Sequence, residues 1–373
     1  GTVWVEECPE DSPMHERCRV LRFGGELIKY EAFSKERPYR FEGCTRGAFE
    51  TLATKHPAGE IGGILDVSEF GGGSVYIDQN SSLQDEIAEK LADVYNAGFR
   101  FVYFDGSEGT NVPHDFHVPN AQYRVLSRFD RPPLFTEGAA KAHFSWHFLS
   151  GGNAFDVFPP ERFKAEIDRH PAREAPQIRC DFTRLDFGWW EIRNPGTQAD
   201  LFEYGESRAA AWDCPISVQA GEPEKILGHP RIDDILETLR RWEDVRRRGW
   251  LTEEQKLLLR RPGEEYTLLV NGGGEYELTR WEQAACGDDR IRAFIFERNG
   301  AFWAAYWHLT GEGRLWLPLE PGDVRVSDEP DGDALAAEET ADGVTVPAGG
   351  RRYLRSGVSR EELAAALASA RIV

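Results

Sequence analysis

The spacing of apolar and polar residues changes several times along the chain, and each change marks an element. Arg19-Val20-Leu21-Arg22-Phe23 and Glu26-Leu27-Ile28-Lys29-Tyr30 alternate around Gly24-Gly25, the pattern of a β-hairpin. Tyr39 to Phe49 continues as turn-rich chain, and Ile61 to Val67 is a further apolar run. Gly71-Gly72-Gly73 breaks the pattern. A helix is predicted next. Ser81 or Ser82 caps it, Asp85 and Glu86 occupy its first turns, and Leu83, Ile87, Leu91, Val94 and Tyr95 form one apolar stripe. Gly98 ends it. Phe99-Arg100-Phe101-Val102-Tyr103-Phe104 then reads as a buried parallel strand. Helix, glycine turn, buried strand and Asp105-Gly106 together make one unit of a βα repeat.

Weaker versions follow. Pro133-Leu134-Phe135-Thr136 leads into Glu137-Gly138, and Gln177 to Phe182 leads into Thr183-Arg184-Leu185-Asp186. A helical stretch, 199–212, precedes Pro215-Ile216-Ser217-Val218-Gln219. That makes about four or five strands of barrel type, where a complete barrel has eight. Ile232, Ile235, Leu236, Leu239, Trp242 and Val245 define an amphipathic helix over 231–248, and a second helix follows at about 252–260. Pro262-Gly263 marks a boundary. From 264 to 355 the strands are short and alternating, with a hairpin signal at Asn299-Gly300. Residues 328–341 read as an acidic loop, and Ser359 caps a last helix.

The expected fold class is α/β: a (β/α)8-type (TIM) barrel, incomplete or divergent, followed by a small C-terminal antiparallel β-sandwich domain. Residues 1–70 are expected to be a β-rich N-terminal segment or barrel embellishment. Residues 71–261 would be the (β/α)-barrel catalytic region, and 262–373 the C-terminal β-sandwich with its terminal helix. Either the first 70 residues supply further strands, or an oligomer or companion chain completes the barrel.

Composition narrows the partners. A length of 373 residues suits a large core with a satellite domain. Eleven Trp, 11 Tyr and 22 Phe suit sugar, whose C–H faces pack on flat rings. A net charge of −20 supplies no basic surface for nucleic acid. The one dense basic run, Arg246-Arg247-Arg248, sits at a helix C-terminus, where cations favour the dipole. Six scattered cysteines without a CxxC pair argue against structural zinc, and neither metal nor cofactor is expected. No run of about 18 apolar residues is present to span a membrane. The chain starts at Gly1 with no visible signal peptide, and the expected location is secreted or periplasmic.

Residues just past the C-terminal ends of barrel strands face the shared active site. Asp105 and Glu108 stand there after one strand and Glu137 after another. Paired carboxylates of this kind suit glycoside hydrolysis, where one protonates the leaving oxygen and the other attacks the sugar or activates water. His143, Trp146 and His147 lie among small residues and read as a polar pocket with an aromatic floor; the His143/His147 spacing lacks the carboxylate of a zinc-protease motif. Arg184, Asp186 and Trp189 follow the next strand, where Arg and Asp can hold hydroxyls and Trp can stack a sugar. Of Trp189 and Trp190, one belongs to the core, since neighbours on a strand point to opposite faces. His114-Asp115-Phe116-His117 is a weaker metal candidate, and no serine-hydrolase elbow or phosphate-binding glycine loop occurs in the right setting.

Tyr103-Phe104-Asp105-Gly106 after a helix–strand unit resembles the nucleophile strand of glycoside hydrolase barrels in the α-galactosidase/α-glucosidase group. There a strand-end Asp is the nucleophile and the acid/base sits about two strands later. Leu134-Phe135-Thr136-Glu137-Gly138 is similar to the strand carrying that partner, with Glu in place of Asp. The terminal β region resembles the small sandwich that follows such barrels. The 19–50 segment is similar to an embellishment of uncharacterised bacterial polysaccharide-degrading proteins. The resemblance covers roughly residues 80–355. It implies an enzyme cleaving glycosidic bonds of a poly- or oligosaccharide, with Asp105 as nucleophile or base, Glu137 as acid, and Glu108, His143, His147, Arg184, Asp186, Trp146 and Trp189 holding the sugar. Two rivals stand beside it. One is a polysaccharide lyase acting through His143, Tyr103 and Arg184 on a uronic-acid glycan. The other is a non-catalytic carbohydrate-binding protein on a barrel scaffold.

Overall fold

The computed structural model describes residues 1–12, 14–65, 77, 79, 81–105, 113–138, 145, 148–149, 151–153, 156–157, 159–169, 184–187, 189–192, 196–219 and 222–373. They fall into two compact units, Gly1–Gly152 and Asn153–Val373. The chain is mixed α/β.

The first unit opens with β1 (Thr2–Trp4), α1 (Met14–Arg17), β2 (Val20–Phe23), β3 (Glu26–Lys29), β4 (Ala32–Ser34), β5 (Arg40–Glu42) and β6 (Gly62–Ile64). They make two three-stranded antiparallel sheets, β1-β5-β4 and β3-β2-β6. The expected hairpin is β2–β3, with Val20 opposite Lys29 and Phe23 opposite Glu26. Its turn uses Gly24 at φ 52°, a conformation open to glycine. Leu21, Ile28, Tyr30, Phe41 and Cys44 form the small core.

The βα unit follows. Helix α2 (Leu83–Asn96) leads into β7 (Phe101–Phe104), then α3 (His114–Leu126), β8 (Phe135–Gly138) and β9 (Gly151–Asn153). Strands β7, β8 and β9 pair in parallel, in that order. Two expectations change here. The buried face of α2 is Gln84, Ala88, Ala92 and Tyr95, while Leu83, Leu91 and Val94 are exposed. Tyr95 decides the rotation, because it stacks on Phe129 at 3.7 Å between ring centres. Strand β7 is also less covered than a central parallel strand. Phe101 is 49% exposed, since β7 is the edge strand of its sheet among the described residues. Helix α3 was not anticipated. Its buried positions Val118, Gln122 and Val125 have helical spacing, but a polar residue at the centre and Pro119 inside the helix hide it.

The second unit begins with β10 (Asp156–Val157), β11 (Arg184–Asp186), β12 (Trp189–Glu191), α4 (Ala199–Trp212) and β13 (Ser217–Gln219). Strands β10, β12 and β13 are parallel neighbours. Trp190 is fully buried and packs so closely on α4 that a Cβ at Gly205 would lie 2.5 Å from its ring. A bare backbone at Gly205 is what lets helix and strand meet. Residues 177–183, expected to carry a further barrel strand, lie outside the described residues, and no closed barrel is seen among those described.

Helices α5 (Ile232–Arg248) and α6 (Glu253–Leu259) match the expected amphipathic pattern. The antiparallel strands that follow are β14 (Glu265–Val270), β15 (Tyr276–Ala284), β16 (Ile291–Arg298), β17 (Ala301–His308), β18 (Gly313–Leu317), β19 (Val324–Ser327), β20 (Glu338–Thr340), β21 (Gly343–Ala348) and β22 (Arg352–Ser356). Helix α7 (Arg360–Ala368) and β23 (Arg371–Ile372) end the chain. One sheet runs β14-β15-β16-β17-β22-β19 and the other β20-β21-β18-β23. Alternation splits β16 and β17 cleanly. Ile291, Ala293, Ile295, Ala304 and Tyr306 join Leu315, Leu317, Val344 and Val346 of the second sheet, closed by Leu363 and Leu367 of α7. Phe294, Phe296, Trp303 and Trp307 take the opposite face, with Trp281 and Tyr353. Asn299 and Gly300 turn the β16–β17 hairpin at φ 52° and 72°.

Helices α4 to α6 share a core with β14: Ala210, Ala211, Trp242, Val245 and Leu259 pack with Tyr266 and Leu268. Polar side chains reinforce it. Glu203 accepts from Trp242 Nε1 at 2.6 Å, Thr267 Oγ1 at 2.9 Å and Arg351 Nη1 at 2.7 Å. The turn at Gly263 is pinned by its amide, which donates to Tyr204 Oη at 2.9 Å and Asp168 Oδ2 at 3.1 Å.

Candidate active site

The two leading carboxylates belong to adjacent parallel strands. The β7–β8 register sets Phe101 beside Phe135 and Tyr103 beside Glu137. Paired residues of parallel strands point to the same face, and the rings of Phe101 and Phe135 accordingly stack at 5.6 Å with planes 12° apart. Glu137 therefore shares a sheet face with Tyr103. Asp105 is the residue just past the end of β7, two positions beyond Tyr103, and is exposed. Glu137 is only 6% exposed. It is flanked by Thr136, whose hydroxyl donates to the Phe148 carbonyl at 2.5 Å and fixes the chain beyond β8. Such an arrangement gives one carboxylate open to solvent and one sheltered, both near the same strand ends.

The other expected site residues are distributed differently. Glu108, His143, Trp146 and His147 lie outside the described residues. Arg184 and Asp186 begin and end β11, and Trp189 begins β12, beside Asp156 on one side and Ser217 on the other. Those three are in the second unit, whereas Asp105 and Glu137 are in the first. Among the described residues, no group of three or more His, Cys, Asp or Glu side chains is placed to hold a metal ion. His117, from the weaker metal motif, sits half-buried on α3 with its ring edge-on to Phe116. The five described cysteines are free thiols. No described helix is long and apolar enough to cross a membrane.

The polar cluster best defined by hydrogen bonds is one that the sequence did not announce. Glu26 of β3 is fully buried and fully satisfied. It accepts from Arg46 Nε at 2.5 Å, Arg46 Nη2 at 2.6 Å, the Gly47 amide at 3.0 Å, the Thr54 amide at 2.9 Å and His56 Nε2 at 2.7 Å. His56 Nδ1 reaches Glu60 at 2.8 Å. Arg46 is the first cause holding the Glu26 carboxyl far below its ordinary range, and Glu26 is the first cause raising His56 above its own. Every acceptor site of Glu26 is occupied, so the cluster organises the 45–60 loop and leaves no lone pair for a ligand.

No family model and no curated protein matches the chain. Among solved structures, similarity is found to α-galactosidase I from Mortierella vinacea, with 11% identity, 79% of this chain and 74% of that one covered, and a TM-score of 0.32. A GH27 β-L-arabinopyranosidase from Geobacillus stearothermophilus gives 11% identity, 79% and 68% coverage, and 0.34. An α-amylase from H. orenii gives 10% identity, 81% and 72% coverage, and 0.30. These distant structural neighbours are glycosidases.

Proposed function

We propose that this chain is a glycoside hydrolase-like enzyme acting on a poly- or oligosaccharide, with Asp105 as nucleophile or base and Glu137 as acid. The support is the parallel register that sets Glu137 beside Tyr103, two residues before Asp105. Continuing the extended chain one residue past β7, a lateral step of about 4.8 Å and a rise of about 3.3 Å per residue separate the two Cα atoms by roughly 8 Å. That spacing leaves room for a glycosidic oxygen between the carboxyls. Glu137 is the sheltered carboxyl and Asp105 the open one, which suits Glu137 to the role of acid and Asp105 to that of nucleophile or base. The aromatic content and the acidic net charge fit a neutral sugar.

The test is hydrolysis of 4-nitrophenyl α-galactoside and α-glucoside by the wild type and by Asp105→Asn and Glu137→Gln. Each substitution is expected to lower turnover by about 10²–10⁴-fold. Undiminished turnover in both variants overturns the assignment. Absence of turnover together with measurable sugar binding replaces it with a non-catalytic carbohydrate-binding role.

A further inference from the structure

We propose a second saccharide-binding site, a cleft in the N-terminal part of the first unit that does not depend on the catalytic assignment. The cleft has a volume of about 680 Å³, within the usual range of small-ligand sites, about 300–1,000 Å³. His15, Tyr30 and Phe33 line it, with Arg19, Glu16 and Glu31.

The aromatic part is rigid. His15 is buried, and its ring stacks on Phe33 at 3.9 Å with planes 21° apart. Its Nε2–H donates to the Glu10 carbonyl at 2.5 Å, and Tyr30 Oη lies 2.6 Å from Nδ1. A carbonyl can only accept, so Nε2 carries a proton, and both ring nitrogens are engaged, Nδ1 by its hydrogen bond with the Tyr30 hydroxyl.

The cation is rigid as well. Arg19 holds φ at 54°, a left-handed conformation uncommon for a residue with a side chain. Its Nε donates to the His15 carbonyl at 2.8 Å and its Nη1 to the Glu31 carbonyl at 2.8 Å. One guanidinium thus ties α1 to the β3–β4 connection across the cleft. A strained backbone held in place this way is a reason to look for a ligand.

Charge selects the class. Asp11, on the rim, is neutralised by Lys35. The remaining charges are the fixed Arg19 and the exposed carboxylates Glu16 and Glu31. An organic cation would meet a guanidinium that cannot swing away, and an anion would meet two carboxylates. A neutral polyhydroxylated ring satisfies both, donating hydroxyl hydrogen bonds to the carboxylates, accepting from arginine, and laying its C–H face on the half-buried Phe33, which the buried His15 backs.

The experiment is affinity electrophoresis of the full chain through native gels containing galactomannan, xyloglucan, arabinan or dextran. Retardation by at least one polysaccharide is expected. Because both carboxylates are exposed, the Glu16→Gln/Glu31→Gln double variant should fold normally, and it should lose at least tenfold in affinity. The Glu16→Gln/Glu31→Gln substitutions should cause the same loss in the Asp105→Asn/Glu137→Gln background, where the gel polysaccharide is not turned over. Migration unaffected by all four polysaccharides overturns the proposal, and so does retardation that the Glu16/Glu31 variant retains. Either failure leaves the turnover test of Asp105 and Glu137 untouched.

Discussion

Glu203 and Arg351 are 148 positions apart, yet their side chains meet at 2.7 Å in the buried core of the second unit. Arg351 also donates to Thr238 Oγ1 at 3.1 Å and lies over the rings of Trp281 and Trp307. Removing one member of such a pair leaves a buried charge without its partner. Glu203→Gln and Arg351→Met should each lower unfolding stability by about 3–5 kcal/mol, and the double variant by clearly less than the sum. Urea unfolding measures this. Losses under about 1 kcal/mol for both singles would show that the pair is not what joins these elements.

Glu206 presents the opposite case. It is fully buried on α4, and neither carboxylate oxygen has a hydrogen-bond partner among the described residues. Burial, and after it the nearby Glu243, pushes its protonation well above the ordinary glutamate value, with Arg246 opposing. A raised folded value means that the stabilisation is present at low pH and is lost as pH climbs through that value. The wild type should therefore lose stability between pH 5 and pH 8 relative to Glu206→Met. At pH 8 the Met variant should be more stable by about 1–3 kcal/mol. Parallel pH profiles for the two proteins in chemical denaturation would contradict this.

His56 titrates between two carboxylates, Glu26 and Glu60, with Arg46 beside Glu26. Its value is raised first by Glu26 and then by Glu60. The contribution is complete below the unfolded histidine value of about 6.5 and disappears as pH rises through the folded one. Exchange of the Gly47 and Thr54 amides, both donated to Glu26, should accelerate above neutral pH beyond the intrinsic chemical rate. His56→Gln should remove that acceleration. If the variant accelerates as the wild type does, the imidazolium is not what secures the loop.

Local elements were legible where period and turn chemistry agreed. The β2–β3 hairpin, α5, α6 and the Asn299-Gly300 turn all announce themselves in the residues that form them. Helix α2 was legible as a helix but not in its orientation: Leu83, Leu91 and Val94 outweigh Ala88 and Ala92 in hydrophobicity, yet the alanines face inward because Tyr95 is held by Phe129. The strand ends carrying Asp105 and Glu137 could be read from apolar runs, but the register that sets Glu137 beside Tyr103 could not. Polar networks were illegible throughout. Glu26 with His56, Glu203 with Arg351 and His15 with Tyr30 are joined across 15 to 148 positions, and no local period encodes such partners.

The core shared by α4, α5, α6 and β14 bears on how the chain can be divided. With Gly263 tied to Tyr204 and Asp168, the turn at Pro262-Gly263 is a fixed corner rather than a hinge. A fragment beginning there would keep its two sheets but lose the Glu203 and Gln198 side chains that cover Arg351 and Trp307. It would carry an aromatic wall of Trp281, Phe294 and Trp307 into water, and would emerge from expression as aggregate rather than as a small soluble domain.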